Sequence, residues 1–135
     1  MVNKVTLIGR LGKDPEVRTL DSGVFVARIS IATDESYKDR QGAWQTQTEW
    51  HNAILWRELA QRAERTLRKG CLIYLEGKLT HRSWKDEHGN THNITEVKTN
   101  FFRLLKGAQT VAETTAPAVH TTATTAATTD NDLPF

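Results

Sequence analysis

Flat aromatic rings set among cations are the most distinctive chemistry this chain offers. It carries four tryptophans, Trp44, Trp50, Trp56 and Trp84, with Tyr37 close before the first. Trp84 sits among Arg82, Ser83, Lys85 and Asp86, a stretch too polar for a core. Tyr37 and Trp44 fall in a charged segment with Lys38 and Arg40. Trp50 and Trp56 share a strand parity with polar Thr48 and Asn52, so their face is not marked as the buried one and core packing loses ground as their role. A ring offers a π-face for stacking, and a neighbouring Lys or Arg offers a charge to an anion. An unpaired nucleotide presents both partners, a base and a phosphate, and neither contact reads base identity.

Other chemistries lack their constellations. The five histidines, His51, His81, His88, His92 and His120, come with no cysteine pair and no His-Glu-x-x-His. They imply no metal and no cofactor. Cys71 is the single cysteine, so no internal disulfide can form; it follows a helix end and enters a strand, as a small buried hydrophobe does. Gly9 and Gly12 are not followed by a helix or by Lys-Ser/Thr, so they do not make a phosphate loop. No catalytic residues are expected and no enzyme is predicted. No apolar run approaches membrane-spanning length and no signal-peptide pattern opens the chain, which points to the cytoplasm and to no membrane partner.

The elements that must position those rings occupy only part of the 135 residues. All eighteen Lys and Arg lie within residues 1–106, against thirteen Asp and Glu, leaving that body at +5. Glu113, Asp130 and Asp132 make the remainder acidic. A basic body with an acidic end predicts a polyanion for the one and a different partner for the other. Residues 107–129 contain 7 Ala and 9 Thr in 23 positions, which cannot bury enough apolar surface to fold, so a disordered linker is predicted. Residues 130–135, Asp-Asn-Asp-Leu-Pro-Phe, restore charge and bulk as a distinct docking tip.

Within the body, alternation predicts strands over residues 5–11, 24–33, 48–55 and 72–79, and a last one ending near Leu105. Gly9 marks a sharp coil or bulge in the first. Residues 34–46 read as a long polar loop, and His88-Gly89-Asn90 as a hairpin turn between two arms. One helix is predicted over residues 56–69, with Trp56, Leu59, Ala60, Ala63 and Leu67 on one face, Glu58–Arg62 and Glu64–Arg68 as supporting pairs, and Gly70 as its C-terminal cap. Three strands, one helix and two strands is the order of an OB-fold, a five-stranded Greek-key barrel: an all-β class with one helix, here followed by a disordered tail.

Several segments make a more specific connection. Asn3-Lys4-Val5-Thr6-Leu7-Ile8-Gly9-Arg10-Leu11-Gly12-Lys13-Asp14-Pro15-Glu16-Val17-Arg18, Thr48-Glu49-Trp50-His51, Leu67-Arg68-Lys69-Gly70 and Tyr74-Leu75-Glu76-Gly77-Lys78-Leu79 occur in this order, ahead of the acidic Pro-Phe end. Together they resemble the bacterial single-stranded DNA-binding proteins across the whole chain. The resemblance implies stacking by Tyr37, Trp50, Trp56 and Trp84, and phosphate contacts by Arg18, Lys38, Arg40, Arg68, Lys69 and Arg82, to which charge alone adds Lys85. It implies a homotetramer, with Tyr74 as the interface candidate, and a tip of Asp130, Asp132, Leu133, Pro134 and Phe135 that captures replication, recombination and repair proteins.

Some positions depart from that pattern: Glu58 and Ser83 stand where basic residues are common, and Asn131 interrupts the acidic run. Trp44 has no stacking counterpart, and two readings stand for it, a fifth platform or a cover for the loop. The alternatives to a binder of single-stranded DNA are another OB-fold nucleic-acid module (RNA-binding, primosomal, or borne by a phage or plasmid) and an oligosaccharide-binding OB domain. The acidic tip and a salt-dependent affinity discriminate against them.

Overall fold

The computed structural model describes residues 1–108; the expected tip and all but the first two residues of the expected linker lie outside the described residues. The elements run β1 (Val5–Leu11), β2 (Glu16–Thr19), β3 (Phe25–Lys38), β4 (Trp44–Trp56), α1 (Glu58–Thr66), β5 (Leu72–Lys85) and β6 (Thr91–Lys106). The sheet order is β1-β5-β6-β4-β3-β2, and a further β1–β3 pairing closes it into a barrel. This is the OB-fold: β1 and β2 together trace its first strand, interrupted at Pro15, and β3, β4, β5 and β6 supply the other four.

Closure depends on β1 serving two neighbours. Its first part pairs with β5, from Val5 opposite Gly77 to Arg10 opposite Leu72. Its end pairs with β3, Arg10 opposite Ala32 and Leu11 opposite Ile31. Gly9 stands at the handover, where a Cβ would collide with the Ala32 carbonyl, so the sharp coil expected there is a close backbone approach. β4 and β6 then pair in parallel through Ala53–Val97 and Ile54–Lys98, a link that strand alternation by itself does not reveal.

Inside the barrel, Ala27, Ile29 and Ile31 of β3, Ala53 and Leu55 of β4, and Ile73 and Leu75 of β5 are buried at alternating positions. Ala60, Ala63 and Leu67 belong to the same core cluster, and Cys71 is buried with them as a small hydrophobe. The helix is shorter than its periodicity predicts. Trp56 stays in β4 opposite Val26, and Arg57 turns the chain with φ 56° while its N–H donates to the Phe25 carbonyl. Leu67 is extended and closes the far end through Ala63. Gly70 does not cap the helix; its N–H reaches across to the Leu11 carbonyl. The expected i,i+4 pairs are also replaced: Arg62 donates to the Phe102 carbonyl at 2.7 Å, and Arg68 to the backbone carbonyl of Glu64.

The long polar loop expected over residues 34–46 is instead a β-hairpin arm. β3 and β4 pair without a slip from Val26–Trp56 out to Lys38–Trp44. The arm projects past the barrel, so neither of its faces meets a core and the apolar alternation that signals a strand disappears. β5 continues six residues past Leu79, to Lys85, and so forms the first of the two arms expected around the His88-Gly89-Asn90 turn. Both hairpins end in the same turn. Asp39 accepts the N–H groups of Gln41 and Ala43, and Asp86 those of His88 and Asn90, each at 2.9 Å. The Asp-x-x-Gly spacing shared by residues 39–42 and 86–89 is the signal that would have revealed the first hairpin.

Candidate nucleic-acid interface

Register decides where each ring points. Core residues of β4 are odd-numbered, Ala53 and Leu55, so Trp44, Trp50 and Trp56 all lie on its outer face. The cross-strand partners Lys38, Ala32 and Val26 share that face. Trp44 is 71%, Trp50 60%, Trp56 39% and Trp84 45% exposed, and Tyr37 47%. None of the five rings is a core residue.

Trp56 sits in the most built part of the surface. A concave region around it is lined by Arg18 and Glu16 of β2, Arg28 of β3, Ile54 of β4 and Arg82 of β5. On its other sides stand Lys98 of β6, His81, and Arg57 with Leu20. Glu96, only 4% exposed, holds two of the arginines: Arg82 at 2.7 Å and Arg28 at 3.8 Å. A carboxylate buried there without them would be strongly unfavourable, so the pairing orients both guanidinium groups at the mouth of the groove.

Trp50 is held by a different device. It borders a shallow hollow with Ile8, Arg10 and Leu72, and its ring lies against Gly12, where any Cβ would collide with it. Trp84 is stacked on His92, with ring centroids 5.5 Å apart, and Arg82 lies 5.4 Å from its centroid. His92 in turn reaches Asp86 at 2.8 Å. That hydrogen bond and the turn N–H groups hold the Asp86 carboxyl below its ordinary range.

The sequence-predicted cations divide. Arg18 and Arg82 converge on Trp56 from strands distant in sequence. Lys38 lies 5.8 Å over the Trp44 ring, and Arg40 and Lys85 sit at the ends of the two arms. Arg68 is turned back onto the Glu64 and Leu67 carbonyls, where it completes the helix end. Lys69 is exposed, and its N–H donates to Asp14. Tyr37 lies on the reverse face of the arm from Trp44, because it pairs with Gln45. Tyr74 faces outward on β5, edge-on to Phe101 at 6.1 Å and bonded to Glu76. Glu76 pushes its phenol pKa up. Arg28, Lys98 and Glu96 were not singled out from the sequence. Arg28 was legible, since it shares a face with Ile54 opposite the Ala27–Ile29 core parity; Lys98 was not, since only the parallel β4–β6 pairing brings it beside Trp56.

A closed OB barrel with exposed aromatic rings and guanidinium groups on its outer wall defines a class of nucleic-acid-binding domains. The chain belongs to the Single-strand binding protein family, whose sequence profile matches residues 2–105. Its barrel is similar to that of the Plasmodium falciparum SSB in complex with ssDNA, with a TM-score of 0.72 and 30% identity, over 78% of this chain and 97% of that one. It is also similar to a deletion mutant of the single-stranded DNA binding protein from Thermus aquaticus, with a TM-score of 0.69 and 27% identity, over 78% of this chain and 51% of that one.

Proposed function

We propose that this chain binds and protects single-stranded DNA without regard to sequence, in replication, recombination and repair. The observation that carries the proposal is Trp56, open to solvent and flanked by Arg18, Arg28 and Arg82 on one outer face. Bases stack on Trp56, Trp50 and Trp84, each contributing roughly 1–3 kcal/mol, and the cations neutralise phosphates. Tyr37, on the other side of the β3–β4 arm, joins them where the strand crosses over the arm. Family membership and the ssDNA-bound relative support this reading.

A second copy covers the outer face of β1 and β5, where Ile8, Tyr74 and Phe101 are grouped, and the assembly is a homotetramer. The acidic tip, ending in Leu133-Pro134-Phe135, recruits partner proteins by offering an apolar plug and a carboxylate. It also competes electrostatically for the basic groove when no strand is bound. Removing residues 130–135 therefore tightens DNA binding most at low salt, and an unchanged affinity there would overturn that part. Phe135→Ala abolishes partner capture while leaving DNA affinity intact.

The central test is quenching of tryptophan fluorescence on titration with oligo(dT), oligo(U) and duplex DNA. Tight quenching by dT, negligible quenching by duplex, and a log–log salt slope of about −0.7 per neutralised phosphate are expected. Preference for oligo(U) would move the chain to an RNA-binding role. Affinity independent of salt would remove nucleic acid altogether.

A further inference from the structure

Resting on that function, we infer that Trp44 forms an additional nucleotide-stacking site at the end of the β3–β4 arm, with Lys38 as its phosphate partner. Three observations carry this. β3 and β4 pair in one unbroken register from Val26–Trp56 to Lys38–Trp44, so the parity that sets Trp56 and Trp50 on the outer face sets Trp44 there too. The three indoles recur every six residues along one strand, at intervals of roughly 20 Å. Trp44 is also the most exposed of the four tryptophans, and among the described residues its ring has a single close cationic neighbour, Lys38 at 5.8 Å.

Charge separates the two sides of the arm. Lys38 and Trp44 are cross-strand partners on one side, continuous through Ser36, Thr46 and Thr48 with Trp50. The one acidic residue on that stretch, Asp34, accepts a hydrogen bond from the Thr48 hydroxyl at 2.7 Å. On the reverse side Glu35 and Glu49 stand between Tyr37 and the barrel and repel a phosphate chain, so a strand reaches Tyr37 by rounding the end of the arm and not along that side. A strand leaving Trp50 along the arm is thus led toward Trp44. A ring merely covering the turn would lie against it; this one stands clear, beside a cation.

The site is peripheral, so its contribution depends on strand length. The experiment uses the full chain and end-labelled (dT) oligonucleotides of about 5 and about 15 nucleotides, near the limits of what one OB fold occupies, with binding read by fluorescence anisotropy. Trp44→Ala is expected to weaken binding of the longer strand roughly fivefold or more and to leave the shorter one unchanged. The salt slope stays constant, because a ring and not a charge is removed, and Trp44→Phe recovers most of the loss. Lys38→Ala lowers the slope instead. Trp56→Ala is the reference. If it weakens binding and Trp44→Ala leaves both lengths unaffected, or weakens both equally, the inference falls while the general function stands. If neither substitution matters, the underlying function falls first.

Discussion

Two outer faces of this barrel carry exposed aromatic rings, and they differ in what surrounds them. Around Trp56 the companions are Arg18, Arg28, Arg82 and Lys98, with a single buried carboxylate, Glu96, orienting two of them. Around Tyr74 they are Ile8, Phe101 and the cross-strand partner Arg103, with Glu76 taking up the phenol hydroxyl and pairing with Lys4. One strand, β5, contributes to both: Tyr74 and Glu76 to the second, Arg82 and Trp84 to the first. Ring exposure alone therefore does not designate a nucleic-acid surface. The two faces differ in balance: the cations gathered around Trp56 suit the phosphates of the proposed strand, whereas exposed Ile8 and Phe101 give the Tyr74 face the apolar area that the proposed second copy covers.

The strongest perturbation should remove the contrast itself. Gly9→Ala drives a Cβ into the Ala32 carbonyl at the point where β1 passes from β5 to β3, and both faces depend on that closure. Overpacking of this kind costs about 1–3 kcal/mol, so calorimetry should record a melting temperature lower by on the order of 10 °C. A wild-type melting curve would show that the handover is not strained.

Next come paired substitutions that separate the faces. Trp56→Ala should weaken (dT) binding by roughly 5- to 100-fold and leave the molar mass in light scattering unchanged. Phe101→Glu should lower the molar mass and leave affinity for short oligonucleotides within about twofold, because a charge is placed on the apolar face and not in the groove. Crossed effects, mass changing with Trp56 or short-strand affinity with Phe101, would erase the distinction.

A subtler comparison concerns Lys98, which only the parallel β4–β6 pairing brings to Trp56. Lys98→Ala should flatten the log–log salt slope by about 0.7, with base preference unchanged, in titrations from low to high salt. The smallest effect concerns pH. The Asp86 carboxyl is held low first by its bond with His92 and then by the N–H groups of Asn90 and His88. A carboxyl lowered on folding stabilises the turn above its ordinary range, and the contribution is lost as pH falls through the folded value. The amide resonances of His88 and Asn90 should therefore shift below about pH 4, ahead of those in the barrel core.

Much of this surface was legible beforehand. The parity of Trp50 and Trp56 with Thr48 and Asn52 argued against burying them, the polar company of Trp84 argued the same, and all three rings are exposed. β2 and the β3–β4 arm were not legible as strands. Four residues, Glu16–Thr19, are too few for a period, and an arm without a core face has no apolar alternation to display. Trp56 misled the helix boundary because its spacing from Leu59, Ala60 and Ala63 suits a helical face, although pairing with Val26 keeps it in β4.

Local pattern, then, determined which side of each strand faces water and which residue types stand there, because alternation and turn chemistry act over a few residues. The joining of Arg18, Arg28, Trp56, Arg82 and Lys98 into one groove was decided only in three dimensions. Those residues come from five strands, and their approach depends on the closure of β1 onto β3 and on the parallel contact of β4 with β6. Pairing between segments so far apart in sequence leaves no periodic trace in either one; it is settled by the burial that all the strands share.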